Sequence, residues 1–212
     1  ASTFTSTLAV TSGTLVNAAG RLIDVQAGTG GARLLTAALA NQGTLAVGTA
    51  FTISKSPSTH TNSGTINVTG GDLTVTNGSG TFTNTGTIAI TAGRTAVFNG
   101  GTFTHSSGTL SGGGLTFNSS AIANLNAPWT ASALTLSGST LNQPTGVTTS
   151  ATTLTASNAT LNGPGTITNS AASRMCSTVS LSITAPESVS HVQLLRPGSS
   201  TISACLALTS GS

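Results

Sequence analysis

Residues 62–83 read Asn62-Ser63-Gly64-Thr65-Ile66-Asn67-Val68-Thr69-Gly70-Gly71-Asp72-Leu73-Thr74-Val75-Thr76-Asn77-Gly78-Ser79-Gly80-Thr81-Phe82-Thr83, and at Asn84-Thr85-Gly86-Thr87-Ile88-Ala89-Ile90 the same phrase begins again. Three runs alternate apolar and polar residues: Ile66-Asn67-Val68, Leu73-Thr74-Val75 and Thr81-Phe82-Thr83. Alternation with period two marks a strand that buries one face. The next interval offers Ile88-Ala89-Ile90, Ala96-Val97-Phe98 and Thr102-Phe103-Thr104, and the preceding one Leu45-Ala46-Val47, Phe51-Thr52-Ile53 and Thr59-His60-Thr61. A Gly-Thr-Leu/Ile step opens each interval at Gly43, Gly64, Gly86 and Gly108, which are 21, 22 and 22 residues apart, with an earlier copy at Gly13. Three strands in so short a repeat leave no room for a helix pair or a hairpin array. They fit one triangular coil of an all-β parallel β-helix, in which each strand pairs with its equivalent one coil along.

The corners agree with this reading. An Asn stands two residues before the Gly at Asn41-Gln42-Gly43, Asn62-Ser63-Gly64 and Asn84-Thr85-Gly86. Stacked amides hydrogen-bond along the axis, so Asn41, Asn62 and Asn84 are expected to form a ladder, with Asn and Gly both supplying the left-handed backbone of a corner. Ser106-Ser107-Gly108 lacks the amide, and the ladder is expected to stop there. Beyond it, Leu115-Thr116-Phe117, Leu134-Thr135-Leu136 and Thr153-Leu154-Thr155 continue one strand at shorter spacing, and Thr140-Leu141-Asn142 matches Thr160-Leu161-Asn162. The spacing predicts about seven coils over residues 13–170, with residues 32–40 as a further strand rather than a short helix.

The ends differ. Residues 1–12 form an extended alternating run with Phe4, Leu8 and Val10 on one side, expected to precede the first coil as a cap or as a strand donated to another subunit. In residues 171–212 the runs 179–183, 191–195 and 204–208 read as three antiparallel strands. That segment is either a cap folded over the last coil or a docking module that receives the donated strand. It holds both cysteines, Cys176 and Cys205, whose even count in one short segment suggests a local disulfide and an oxidising compartment, against the alternative of two buried thiols.

Composition excludes most chemistry. Asp24, Asp72 and Glu187 are the only acids in 212 residues, and charged residues make up 4% where an ordinary domain carries roughly a quarter. Disorder is not the explanation, because 37% of the chain is hydrophobic and regularly spaced. The net charge of +3 reflects scarce acids, and six scattered cations with few aromatics make no nucleic-acid surface. No apolar run approaches the ~18 residues of a membrane span, and the start at Ala1 suits a mature chain whose leader has been removed. The three carboxylates are too far apart in the repeat to act as an acid–base pair or to hold calcium, so neither catalysis nor a cofactor or metal is expected. His60 takes the place of Phe82 and Phe103 in the repeat, and His105 follows the same strand to a corner, which makes both structural.

The Gly-Thr-Leu/Ile steps, the Asn-Xaa-Gly corners and the Thr-rich outward positions resemble the repeats of bacterial surface β-solenoids, such as filamentous haemagglutinin-like adhesins and autotransporter passenger domains. The resemblance spans roughly residues 13–170 and is architectural. It implies an extracellular, surface-displayed protein that adheres or forms filaments. Such a chain is expected to be a structural subunit stacking head to tail as a homopolymer. The alternative is a monomeric adhesin or an ice binder using the face of Thr59, Thr61, Thr81, Thr83, Thr102 and Thr104, which resembles the Thr arrays of solenoid ice-binding proteins. That array spans three coils, since the next one offers Ala121-Ile122-Ala123. Four Asn-Xaa-Ser/Thr sites, at Asn67, Asn77, Asn118 and Asn158, leave room for glycans.

Overall fold

In the computed structural model the described residues are 4–28, 30–163, 165–169, 173–176, 179–183 and 206–210. They form nineteen strands and no helix, and every strand pairing is parallel. Strands from the same position in successive coils lie side by side, so the chain winds as a β-solenoid of about seven turns. The segment at residues 32–40 is the strand Arg33–Asn41, as expected.

Each coil has three faces. On the first, Leu35, Ile53, Val75, Phe98, Phe117, Leu136 and Ala156 are in register and point inward. The second stacks Leu15, Leu39, His60, Phe82, Phe103, Ala123, Leu141 and Leu161. The third stacks Ile23, Leu45, Ile66, Ile88 and Leu110. Like over like packs a thin core, and each buried aliphatic side chain contributes about 1.5–3 kcal/mol. At mid-solenoid the core is aromatic: Phe98 and Phe103 lie 4.3 Å apart between ring centroids, with Phe82 and Phe117 packed around them. The coils shorten toward the C-terminal end, from 24 residues between Leu15 and Leu39 to 18 between Ala123 and Leu141.

At three of the corners glycine answers to a different constraint from the expected one, whereas Gly108 has the expected positive φ of +81°. Gly43, Gly64 and Gly86 do not have positive φ. A Cβ on Gly64 would instead lie 2.1 Å from the Gly43 carbonyl oxygen, and one on Gly86 2.2 Å from that of Gly64. The backbone of each corner rests directly on the corner beneath, where Thr65 N–H donates to Gly43 O at 2.8 Å, and a side chain has no room.

Both ends depart from expectation. The run with Leu8 and Val10 does not stand apart from the first coil: the strand Ser6–Asn17 pairs with Arg33–Asn41 of the same chain, placing Leu8 over Leu35. It is the first coil's own edge, because its inward residues find the same core column as the coils above. Near the C-terminus the strands Val179–Ile183 and Leu206–Ser210 pair in parallel with each other, and Val179–Ile183 pairs in parallel with Thr160–Asn162. The two described strands of that segment are therefore parallel to each other and to the solenoid, not antiparallel, with Leu181 one register position above Leu161. Ser173–Cys176 likewise joins the first face. Cys205, and with it the expected disulfide, lies outside the described residues, as do Glu187 and the run 191–195.

Candidate functional site

Inside the corner between the second and third faces runs a chain of buried amides. Asn41 Nδ2 donates to Asn62 Oδ1 at 2.7 Å, and Asn62 Nδ2 to Asn84 Oδ1 at 2.6 Å. The other N–H of each amide goes to a carbonyl of the next corner, Thr65 O at 3.0 Å and Thr87 O at 3.1 Å. The ladder is longer than expected at both ends. It begins at Asn17, whose Nδ2 donates to Asn41 Oδ1 at 2.7 Å, and it ends on His105, whose Nδ1 lies 3.0 Å from Asn84 Nδ2. Asn17 was hidden because four residues, not two, separate it from the first residue of the next strand. His105 was hidden because an imidazole replaces an amide at the ladder position itself, two residues before Ser107.

The direction of the amides fixes the imidazole. Asn84 Oδ1 already accepts from Asn62, so its N–H faces His105, and His105 Nδ1 must be the acceptor. The proton then sits on Nε2, directed at Pro128 O 3.4 Å away. His60, in the aromatic column 6.1 Å from the Phe82 ring centroid, is held alike: Leu39 N–H donates to its Nδ1 at 3.2 Å. Both rings are fully buried, and burial pushes both below the usual histidine range; for His60 the nearby Lys55 backbone and Asn77 side chain oppose this, for His105 the Pro128 backbone, without reversing it.

The Thr array lies where its residues predict, on the outer side of the second face. Thr59, Thr81 and Thr102 share one column, and Thr61, Thr83 and Thr104 the other. The array is not confined to three coils. Ala121 and Ala123 point inward, and the first column runs on through Ile122 to Thr140 and Thr160. In the second column Thr104 is followed by an outer amide ladder: Asn142 Nδ2 donates to Asn124 Oδ1 at 2.8 Å, and Asn162 Nδ2 to Asn142 Oδ1 at 3.0 Å. The matched Thr-Leu-Asn triplets at 140–142 and 160–162 carried the signal for this ladder.

The acids stay apart. Asp24 accepts from Gln26 Nε2 at 2.6 Å, while Asp72 accepts from Thr95 N–H at 2.9 Å on a later coil. Among the described residues no three His, Cys, Asp or Glu side chains stand close enough to hold a metal ion. Of the four candidate glycan acceptors, Asn77 is buried, Asn67 and Asn118 are half-buried on strands or their ends, and Asn158 is exposed in a turn.

The other unusual surface is the N-terminal end. Phe4 is 81% exposed, Leu22 60%, Val16 55% and Leu8 51%, four of the five exposed large apolar residues described. A recess of about 330 Å³ opens there into the core, floored by Leu15, Ile23, Leu35 and Phe51 and rimmed by Asp24 and Arg33. The lower edge of this first coil carries unpaired strand among the described residues. Fold and surface together define the class: a parallel β-solenoid with a neutral hydroxyl and amide exterior and an open apolar end. Comparison of the chain with family models, characterised proteins and solved structures finds no match.

Proposed function

We propose that the chain is a non-catalytic structural subunit of an extracellular filament or cell-surface fibre, stacking head to tail with other copies. The observation that carries this reading is the open first coil, with Phe4, Leu8, Val16 and Leu22 exposed beside an unpaired strand edge. Exposed edges and apolar ends invite pairing with another chain, and soluble proteins ordinarily blunt them with charge or cover. A second solenoid end, parallel and in register, would extend the same core columns, and a heterologous contact of this kind yields an open filament unless rotation closes it. Surface display follows from the repeat resemblance and from an exterior in which hydroxyls and amides replace charge. Negative-stain microscopy and light scattering test the proposal: the wild-type chain forms polymers, and the pair Val16→Lys and Leu22→Lys, which places charge on the open edge, gives monomers with an unchanged circular dichroism spectrum. Monodisperse wild-type particles at high concentration would refute it.

A second reading, a monomeric adhesin or ice binder, draws on the first Thr column, which extends over Thr59, Thr81, Thr102, Thr140 and Thr160 with one interruption at Ile122. Thermal hysteresis in a monodisperse sample would favour that reading over the filament.

A further inference from the structure

Two imidazoles are sealed in the wall between coils, and neither takes part in the proposed assembly. His60 and His105 are both fully buried on the second face, in a chain with only three histidines and three carboxylates. Each has its Nδ1 committed as an acceptor, to the Leu39 N–H in one case and to the Asn84 amide in the other. We infer that His60 and His105 form an acid-sensitive release in the middle of the solenoid, locking the coils together when neutral and unlocking them when protonated.

The geometry gives the reason. Protonation puts a hydrogen on Nδ1, where it meets a donor. At His105 the conflict is relieved only if the Asn84 amide turns over, and that brings its N–H against Asn62 Nδ2. Asn62, Asn41 and Asn17 would have to turn in sequence, and each would lose its second bond, to Thr87, Thr65 and Thr44 carbonyls. The ladder cannot reverse without presenting oxygen to oxygen at every corner. At His60 the donor is backbone and has no alternative orientation. His60 Nε2 makes no well-formed hydrogen bond, and the Lys55 backbone and Asn77 side chain beside the ring offset only part of what burial costs a cation there. No charged side chain perturbs either ring. From neighbouring coils His60 faces Leu39, Phe82 and Asn77, and His105 faces Asn84 and Pro128; the Lys55 ammonium is bound elsewhere, to the Val10 and Thr11 carbonyls.

The sign follows from linkage. Both rings titrate lower in the folded chain than in the unfolded one, so their contribution is fully present above the unfolded value of about 6.5. It is lost as pH falls from there toward the folded values, because the unfolded chain takes up the protons first. Each ring raises the unfolding constant by up to about tenfold per pH unit in that window.

The test compares denaturation of the full chain with that of the double variant His60→Phe and His105→Asn, measured from pH 8 to pH 5. His60→Phe continues the Phe82 and Phe103 column, and His105→Asn continues the amide ladder. The expected result is a wild-type unfolding constant that climbs below about pH 6.5, and a double variant in which the share due to two rings is gone; His191 is common to both and cancels. Superimposable pH profiles would overturn the inference. Should the double variant not fold, nitrogen NMR of the wild-type imidazoles decides: two Nε2–H tautomers that take up protons only below the ordinary histidine value support it, and two rings titrating at the ordinary value in the folded chain refute it.

Discussion

Replacing Asn62 by Ala is the sharpest probe of what holds the coils together. Asn62 is 1% exposed and makes three bonds: it accepts from Asn41 Nδ2 and donates to Asn84 Oδ1 and to the Thr87 carbonyl. Truncation removes all three and leaves two buried groups without partners, one N–H of Asn41 and the amide oxygen of Asn84. Each orphaned group costs about 1–3 kcal/mol, so Asn62→Ala should destabilise the chain by about 4 kcal/mol. That is a large part of the stability of an ordinary domain. Removing Asn41 as well deletes a group that the first change orphans, so the double variant should cost less than the sum of the two singles. Urea denaturation followed by far-ultraviolet circular dichroism measures each cost. Asn67→Ala, at a half-buried outward position, is the control and should fall within about 0.5 kcal/mol of wild type. If Asn62→Ala cost no more than that control, the amide ladder would be ornament and the coils would be held by their apolar columns alone.

Two further outcomes follow from the same corner. Gly64→Ala places a methyl 2.1 Å from the Gly43 carbonyl, so thermal melting should show about 1–3 kcal/mol of destabilisation although φ is not positive there; Gly20→Ala, at φ +74 with open space around it, should lose only about 1 kcal/mol of backbone strain. Asn62→Asp keeps the Asn41 donor on one oxygen but sets the other against two acceptors, Asn84 Oδ1 and the Thr87 carbonyl, and this together with burial should raise its folded pKa above the unfolded value of about 3.9; the folded state then holds the extra proton, and this variant should gain stability as pH falls toward 4, opposite in sign to the histidine effect.

How far the residues alone carry the reader differs between parts of the molecule. The inward columns were legible because period-two alternation and a Gly-Thr-Leu/Ile step recurring every 21 or 22 residues admit one stacked solution. Asn41, Asn62 and Asn84 were legible for the same reason: identical residues at identical repeat positions must lie over one another. Asn17 and His105 were not, since a longer turn displaced one from its Gly and the other is a different residue type doing an amide's work. The outer Asn124–Asn142–Asn162 ladder escaped notice because the coils that bear it are 18 to 20 residues long and drop the Gly-Thr step.

Repetition by itself determined the winding, the strand positions, the inward residues and the neutrality of the exterior, because these depend only on which residues recur and at what interval. The tertiary structure alone decided what contact distances govern. It made the corner glycines a matter of backbone resting on backbone, drew the N-terminal run into the first coil, turned the C-terminal strands parallel, and fixed the protons of His60 and His105 through the direction of their neighbours. A hydrogen bond has a sense, donor to acceptor, and a linear string of residue names does not record it until the chain has been folded back on itself.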